Sequence, residues 1–316
     1  MKRTANLRLF VYQRAYWPLY GGYAHHLRHR LRLLSRFGIE PWVLTQRTGD
    51  LEPEEIVDDI LVRRVRVPRP FTRRQIFAET ALCPHMFLHR AHYDLALLSS
   101  ANVSGIFIRN VCHRPVIRES VIGENHAAKF RTLLGKAREL LFRGVDFAVT
   151  ISPALEQAYR DVNWPESRMC LIPRGVDNDI FRPAATDDEI DRLRDELDLP
   201  KRPNPLFLTV GAVRERKGHL DLVEAWRLLS PELPTEHLII VGPVGDESYY
   251  QMLTRRITEL GLTDRIHFKG WSHQIPDFMR CVDGFVFASV NEGFPNSVIE
   301  AMSSGLPIAA FNIEGI

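Results

Sequence analysis

Short apolar runs alternate with amphipathic stretches along most of the chain. The apolar runs are rich in β-branched residues, which is typical of buried strands. Strands are predicted at Leu7–Tyr12, Pro41–Thr45, Ile60–Val67, Leu95–Ser99, Pro115–Arg118, Phe147–Ile151, Met169–Ile172, Leu206–Val210, His237–Val241, Arg265–Phe268, Gly284–Ala288 and Pro307–Ala310. Helices are predicted at Gly22–Arg36, Lys129–Phe142, Pro153–Arg160, Gly218–Leu229, Ser248–Leu260 and Asn296–Ser304. Strands that alternate with helices form βαβ units, so the pattern predicts an α/β fold with parallel sheets covered on both faces.

The alternation is interrupted between residues 184 and 205, where the chain is charged, contains prolines and carries one short amphipathic helix, Asp187–Leu197. We therefore predict a first α/β domain over residues 1–183, a linker over 184–205 and a second α/β domain over 206–316. Only six residues follow the last predicted strand. A doubly wound sheet does not normally finish in this way, so we expect the second domain to be incomplete at its C-terminal end.

Composition is that of an ordinary globular protein, with 45% hydrophobic and 25% charged residues. No apolar run is long enough to span a membrane. The four cysteines lie far apart in the sequence, and no histidine stands at zinc spacing from them. We therefore expect a cytoplasmic protein with buried thiols, and neither a disulfide nor a metal site.

Charge is distributed unevenly along the chain. Residues 1–183 contain 28 basic and 18 acidic residues, a net of +10, whereas the remainder contains 13 and 21, a net of −8. One predicted helix of the basic half carries Arg28, Arg30, Arg32 and Arg36. This helix could lie against anionic lipid at the cytoplasmic face of the membrane or bind a phosphorylated acceptor; alternatively, it is a solvated face attracted to the acidic half. Nucleic acid is not expected as a partner, because no basic motif interleaved with aromatic residues accompanies the charge.

Two glutamates, Glu292 and Glu300, lie on either side of a predicted strand-to-helix turn. Gly293 and Pro295 mark the turn, and Asn296 is the expected N-cap of the helix that follows. Ligands of open α/β sheets bind at the carboxyl ends of the strands, where this turn falls. The two carboxylates could therefore accept hydrogen bonds from the hydroxyl groups of one elongated ligand; the alternative is that both are surface charges.

Backbone amides in the same turn have no partner within the predicted helix. The N–H groups of Phe294, Asn296 and Ser297 would point into the cleft, where they could hold an anion or a sugar oxygen.

A second turn carries two neighbouring cations. The predicted strand ends at Gly211, a helix begins near Gly218, and Arg216 and Lys217 immediately precede it. Two cations beside a helix N-terminus suit a diphosphate, and a glycine there lets the backbone approach the phosphates closely. The alternative is an incidental cation pair in a surface loop.

A glycine pair, Gly21 and Gly22, separates the first strand region from the first helix. Such a pair allows a tight turn whose amides are available to a phosphate or a sugar. The G-x-G-x-x-G pattern is absent, which argues against an oxidoreductase that binds a dinucleotide.

Taken in order, these motifs resemble those of glycosyltransferase family 4, a retaining family with the GT-B fold of two Rossmann-like domains. Glu292 to Glu300 matches the E-x7-E motif of that family. Residues 172–183, which read IPRGVDNDIFRP, are close to its inter-domain signature. With the glycine pair and the Arg216–Gly218 turn, the resemblance extends from the first strand to the end of the sequence.

The resemblance implies a role for each motif residue. Lys217 would bind the donor diphosphate and Arg216 would supply a second cation, so that these two residues and the helix N-terminus at Gly218 stabilise the leaving charge. Glu292 would hydrogen-bond to the transferred sugar, helped by the backbone of Gly293 and Phe294. Glu300 would bind the ribose, and the Gly22 amide would lie near the distal phosphate. The donor would be a UDP-sugar or a GDP-sugar, with neither a bound cofactor nor a catalytic metal.

The sequence departs from the family pattern at two positions. Ala212 stands where many members have arginine, and no histidine ends the strand at residues 115–120. Arg118, Glu119 or Glu124 could line the pocket instead. Asp177-Asn178-Asp179 spells the D-x-D of metal-dependent transferases, but it lies inside the inter-domain signature, where we expect a structural role.

The expected reaction is transfer of a sugar from a nucleoside diphosphate to an acceptor hydroxyl, with retention of the anomeric configuration. By analogy with the family, the acceptor would be a glycan or lipid-linked molecule of cell-surface polysaccharide or glycolipid synthesis, contacted by first-domain loops such as 72–84. A nucleotide-sugar epimerase and a phosphorylase carrying pyridoxal phosphate share the fold. An inactive remnant or binding module is the third interpretation.

Overall fold

The computed structural model describes residues 6–18, 22–67, 75–99, 103–120, 144–161, 163–229, 232 and 234–313. The chain divides into two compact units, Met1–Pro173 and Arg174–Ile316. Each unit contains a largely or wholly parallel sheet packed against helices. The predicted α/β class with two parallel-sheet domains is therefore confirmed.

The first unit contains strands β1 to β8 among its described residues. The strands are β1 (Leu7–Tyr12), β2 (Ile39–Gln46), β3 (Glu54–Val57), β4 (Ile60–Val65), β5 (Leu95–Leu98), β6 (Val116–Ser120), β7 (Phe147–Thr150) and β8 (Met169–Leu171). The helices are α1 (Gly22–Ser35), α2 (Gln75–Leu88), α3 (Val103–Asn110) and α4 (Pro153–Arg160). The strand order is β3-β4-β2-β1-β5-β6-β7-β8, and only β3 runs antiparallel to its neighbour.

Helices cover both faces of this sheet. Leu9 and Val11 of β1 pack on the face that α1 covers, whereas Phe10 and Tyr12 pack on the face that α2 and α3 cover. All four side chains are buried. A strand that is buried on both faces reads as a continuous apolar run, which explains why β1 could be predicted from its sequence.

The described residues of the second unit form five parallel strands. Its elements are α5 (Asp187–Glu196), β9 (Leu206–Val210), α6 (His219–Leu229), β10 (His237–Val241), α7 (Glu247–Glu259), β11 (Ile266–Gly270), α8 (Ile275–Cys281), β12 (Gly284–Phe287), α9 (Asn296–Ser303) and β13 (Ile308–Ala310). The strand order is β11-β10-β9-β12-β13. The chain builds outward from β9 on one side and then returns to its other side with β12, so the topological switch point lies between β9 and β12.

The two units divide after Pro173, ahead of the expected domain end at residue 183. The segment 184–205, expected as a linker, contains α5 and belongs to the second unit. Leu193, Leu197 and Leu199 of this segment are buried in the core of that unit. Their burial is the physical reason why a segment that reads as charged is not a free connection.

The predicted strands are all present, with ends that differ from the observed ones by at most two residues. Three helices and a strand were not predicted, namely α2, α3, α8 and β3. Pro84 lies inside α2, which obscures its helical pattern, and residues 75–84, expected in a loop, belong to this helix. The strand β3 is short and acidic. The predicted helix Lys129–Phe142 lies outside the described residues.

Arg194 fastens α5 to the second sheet. Its side chain, 2% exposed, donates to the carbonyl oxygens of Cys281 at 2.8 Å and Asn204 at 2.9 Å. It also donates to a carboxylate oxygen of Asp283 at 2.8 Å. Arg194→Met should lower the free energy of unfolding by about 2–4 kcal/mol, because it leaves the buried Cys281 carbonyl and the half-buried Asn204 carbonyl without this donor.

Arg192→Met is the matched control on the same helix. The Arg192 side chain is 63% exposed and pairs only with Glu196 one turn on, so a change within about 0.5 kcal/mol is expected. Urea unfolding of both full-length variants measures the difference. Equal losses would show that Arg194 does not anchor α5.

Candidate functional site

Two loops meet at the switch point of the second sheet. One follows β9 and spans residues 211–218; the other follows β12 and spans residues 288–295. The strands pair in parallel, with Phe285 opposite Leu208, so both loops leave from the same edge. The Val290 amide donates to the Arg216 carbonyl oxygen at 3.0 Å and joins the loops directly.

The turn that carries the two cations has a fixed shape. Glu215–Lys217 forms a single 3-10 turn, and Gly218 then adopts a left-handed conformation with φ of +66°. A β-carbon at Gly218 would lie 2.0 Å from the Ala288 carbonyl oxygen. Only glycine therefore fits where this turn rests against the end of β12.

Lys217 and Glu292 form the central contact of the site. The Lys217 Nζ atom lies 2.6 Å from the Glu292 Oε1 atom, and the two side chains are 17% and 14% exposed. The lysine stem passes over Gly211, where an added β-carbon would lie 3.4 Å from its Cε atom. Arg216, which is 52% exposed, places its Nη1 atom 2.9 Å from the same carboxylate oxygen.

The surroundings of Glu292 keep its carboxylate ionised. Burial by itself would raise the pKa of Glu292. The charge of Lys217 and the hydrogen bond that it donates act in the opposite direction, with further contributions from Arg216 and Ser289. Together these interactions hold the pKa of Glu292 below its ordinary value.

Ser289 also contacts the carboxylate and was not among the predicted site residues. Its side chain is fully buried, and its hydroxyl lies 2.8 Å from the Glu292 Oε1 atom and 3.1 Å from the Arg216 carbonyl oxygen. The only signal in the sequence is its position directly after the predicted strand and three residues before Glu292.

The turn after Glu292 leads into α9. Pro295 holds the N-cap position and Asn296 is the first helical residue, so the prediction of Asn296 as N-cap is wrong. The Asn296 side-chain oxygen instead accepts a hydrogen bond from Arg174 at 3.0 Å. Glu300 lies one turn into α9 and is 8% exposed. The predicted roles of Gly293, Phe294, Asn296, Ser297 and Glu300 in donor binding stay predictions.

The first unit contains the remaining candidates. Gly22 is the first residue of α1, and its role stays a prediction. Of the three residues left open for the pocket, Glu124 lies outside the described residues, and Arg118 faces the Tyr159 ring with 5.5 Å between its guanidinium carbon and the ring centre. Glu119 is 1% exposed and binds two side chains of α1: Arg30, through two hydrogen bonds of 2.7 and 2.5 Å, and the Tyr23 hydroxyl at 2.9 Å.

Two arginines of α1, Arg28 and Arg30, are thus paired within the first unit. Arg30 binds Glu119, and Arg28 binds Asp58 through hydrogen bonds of 2.6 and 2.9 Å while stacking 3.9 Å from the centre of the Trp17 ring. Paired cations have less charge to offer a lipid headgroup. Membrane contact through this helix stays a prediction.

The Asp177-Asn178-Asp179 sequence holds a turn together. The Asp177 carboxylate accepts a hydrogen bond from the Asp179 amide at 3.0 Å, and the Asn178 side-chain oxygen accepts one from Ser303 at 2.9 Å. Within the described ranges, no three His, Cys, Asp or Glu side chains lie close enough together to hold a metal ion.

Ligands of open α/β sheets bind at the carboxyl ends of the strands, at a switch point such as the one where this cation pair lies. The profile of Glycosyltransferase Family 4 matches residues 20–180, and that of Glycosyl transferases group 1 matches residues 189–316. The chain belongs to Glycosyltransferase Family 4. The predicted family is thereby confirmed.

Two similar curated proteins are named as a galactosyltransferase and a mannosyltransferase. The chain is 27% identical over 246 residues to UDP-Gal:alpha-D-GlcNAc-diphosphoundecaprenol alpha-1,3-galactosyltransferase of Escherichia coli. The alignment covers 73% of this chain and 61% of that protein. It is 32% identical over 178 residues to lipopolysaccharide core biosynthesis mannosyltransferase LpsB of Rhizobium meliloti. This alignment covers 55% of this chain and 48% of that protein. The chain thus spans less than two thirds of the length of these relatives.

Solved structures share the fold across nearly the whole chain. HepE of Anabaena in complex with UDP and glucose superposes with a TM-score of 0.78 at 21% identity, covering 98% of this chain and 82% of that one. WaaG, a glycosyltransferase involved in lipopolysaccharide biosynthesis, superposes with a TM-score of 0.74 at 17% identity, covering 97% and 82%. No helix in the described part of the chain has both the length and the apolar character needed to cross a bilayer.

The close approach of Gly218 to β12 generates a prediction for the cation turn. Gly218→Ala should destabilise the second unit and weaken UDP binding at least tenfold, because the added methyl group cannot coexist with the Ala288 carbonyl oxygen. Thermal unfolding and calorimetric titration with UDP measure the two effects.

Gly261→Ala is the matched control. Gly261 has nearly the same backbone angle, φ of +65°, but nothing lies within 4 Å of an added β-carbon. It should show only the backbone cost of about 1–2 kcal/mol and unchanged UDP binding. If both variants bind UDP equally well, the contact between Gly218 and β12 does not shape the site.

Proposed function

We propose that the protein transfers a sugar from a nucleoside diphosphate sugar to an acceptor hydroxyl, with retention of the anomeric configuration. One observation carries the proposal: the Lys217 ammonium and the Glu292 carboxylate lie 2.6 Å apart at the switch point of the second sheet. A cation suited to a diphosphate and a carboxylate suited to sugar hydroxyls are therefore both within reach of one small molecule.

The charges at this site suit a departing diphosphate. Arg216, Lys217 and the N-terminal end of α6 supply positive potential where the leaving group would acquire charge. Glu292 remains ionised beside them and can accept hydrogen bonds from the transferred sugar. As the family resemblance implies, the acceptor would attack the face that the diphosphate leaves, and no nucleophilic side chain is required.

We propose the remaining donor contacts from the family resemblance and from the backbone amides of the turn before α9. Glu300 would bind the ribose from α9, and the Gly22 amide would contribute from the start of α1. The backbone of Gly293 and Phe294 would support the sugar, and the amides of Asn296 and Ser297 would bind an oxygen of the donor. Soaking with UDP would reveal which of these contacts form.

The relatives support a choice of substrates. The Escherichia coli relative is named for UDP-galactose and for an acceptor linked to diphosphoundecaprenol, and HepE was solved with UDP and glucose. We propose a UDP-sugar or GDP-sugar as donor and a glycan or lipid-linked acceptor of surface polysaccharide or glycolipid synthesis. Peripheral contact with the cytoplasmic face of an anionic membrane belongs to the same proposal.

Product analysis tests the reaction. The full-length protein is incubated with labelled UDP-sugars and GDP-sugars, with and without saccharide and lipid-linked acceptors. Label transferred to an acceptor, with its anomeric configuration kept, supports the proposal. Conversion of the nucleotide sugar without an acceptor would identify an epimerase and overturn it.

Lys217→Ala should weaken binding of the donor nucleotide or slow its turnover by about 10- to 100-fold, the scale of one charge-assisted hydrogen bond. Titration with UDP and GDP measures affinity directly. Lys201→Ala is the control, since Lys201 is 79% exposed and pairs with Asp195 on the surface. Unchanged nucleotide affinity in Lys217→Ala would remove this lysine from the donor site.

Glu292→Gln should change binding and turnover in opposite directions. Removal of the carboxylate frees Lys217 and Arg216 for phosphate, so UDP should bind about fivefold more tightly. Sugar transfer should fall about 10- to 100-fold, because a neutral amide stabilises a positively charged sugar less well.

Glu215→Gln is the control for charge alone. It removes one negative charge from the turn that carries Arg216 and Lys217, at an exposed position. UDP affinity and transfer should both change less than twofold. A parallel loss of UDP affinity and transfer in Glu292→Gln would contradict the assigned role of Glu292.

A further inference from the structure

We infer that Ser289 is a positioning residue for the proposed reaction, which holds the Glu292 carboxylate against the Lys217 turn. This inference rests on the proposed function. Ser289 is not expected to touch the donor itself, and it would act through Glu292.

The buried hydroxyl of Ser289 lies between the two loops of the site. It lies two residues after β12, in the same loop as Glu292, and its side chain has no exposure to solvent. Its hydroxyl lies within hydrogen-bond distance of two groups, the Glu292 Oε1 atom at 2.8 Å and the Arg216 carbonyl oxygen at 3.1 Å. One buried hydroxyl thus links the carboxylate loop to the cation turn.

A serine hydroxyl carries a single proton, so it donates to one acceptor at a time. The carboxylate is nearer and charged, which makes it the stronger acceptor in the unliganded protein. The Arg216 carbonyl already accepts from the Val290 amide at 3.0 Å and does not depend on Ser289. The hydroxyl can therefore hold Glu292, and it can turn to the carbonyl when Glu292 moves to a sugar hydroxyl.

This arrangement avoids an unsatisfied buried donor in either state. Burying a hydroxyl without a partner is costly, and that cost would resist any movement of the carboxylate. With two acceptors in reach, the serine hydroxyl holds Glu292 while the site is empty. When Glu292 moves away, the hydroxyl still has a hydrogen-bond partner, so the movement costs little free energy. Lys217 and Arg216 both contact the Glu292 Oε1 atom, and they would bind the diphosphate when Glu292 moves.

The electrostatics agree with the geometry. The hydrogen bond from Ser289 is one of the interactions that lower the pKa of Glu292 against the effect of burial. Removing it should raise that pKa. The proposed role of Glu292 requires its ionised carboxylate. With a raised pKa, the carboxylate becomes protonated at a higher pH as the solution is acidified, so the acid limb of the activity profile should move to higher pH.

The test uses Ser289→Ala and Ser289→Cys in the full-length protein. Alanine removes the donor, and cysteine keeps a weaker donor of similar size, so the effects should be graded. In Ser289→Ala, kcat/KM for the donor should fall roughly tenfold and the acid limb should move up by about one pH unit, the scale of one charge-assisted hydrogen bond. The dissociation constant of UDP should stay within about twofold, because Lys217 and Arg216 are intact.

Ser304→Ala is the matched control. Ser304 is also buried in the second unit, and its hydroxyl donates to the Glu300 carbonyl oxygen at 2.9 Å. It should leave the pH profile and kcat/KM unchanged. Losses of kcat/KM and UDP binding in equal proportion in Ser289→Ala, with no movement of the acid limb, would assign Ser289 a purely structural role and overturn the inference.

A carbon-13 titration of the Glu292 carboxyl group separates this inference from the proposed function. The Glu292 signal is identified by its loss in Glu292→Gln, and its titration is compared between the unmutated chain and Ser289→Ala. A midpoint at higher pH in Ser289→Ala supports the inference even if no sugar transfer is detected, whereas coinciding midpoints overturn it. Absence of transfer by the unmutated chain would count against the proposed function alone.

Discussion

The candidate site depends on the parallel pairing of β9 with β12. These strands are far apart in the sequence, and their pairing brings Lys217 to Glu292 across 75 positions of chain. Both loops leave from the same edge because the strands run in the same direction. Gly218, pressed against the carbonyl of Ala288, then limits how far the loops can separate. The chemistry of the site therefore follows from sheet topology and one close backbone contact.

Much of the fold could be predicted from the sequence because its strands are buried on both faces. Such strands read as apolar runs, and β1, β9 and β10 were predicted with their observed bounds. Helix α2 was missed because Pro84 interrupts its pattern. The segment 184–205 was predicted as a linker because it reads as polar, although Leu193, Leu197 and Leu199 are buried in the core of the second unit.

The site was predictable only where a residue type is rare in its context. Two cations before a glycine, or two glutamates around a glycine-proline turn, are distinctive patterns. Ser289 is not distinctive, since a serine after a strand has many structural uses, and only the distances to Glu292 and Arg216 reveal it. Charge counts mislead for a related reason. The net charge of +10 over residues 1–183 does not show that Arg28 and Arg30 are already paired.

The contact between Gly218 and Ala288 also has an evolutionary consequence. Because no side chain fits at Gly218, substitutions of this residue would be selected against. Relatives that use other sugars would therefore differ from this chain at other positions. The Val290 side chain on the neighbouring loop is 56% exposed, so a change of side chain there disturbs the packing less. Substitutions at this junction would therefore accumulate at exposed positions such as Val290 sooner than in the turn at Gly218.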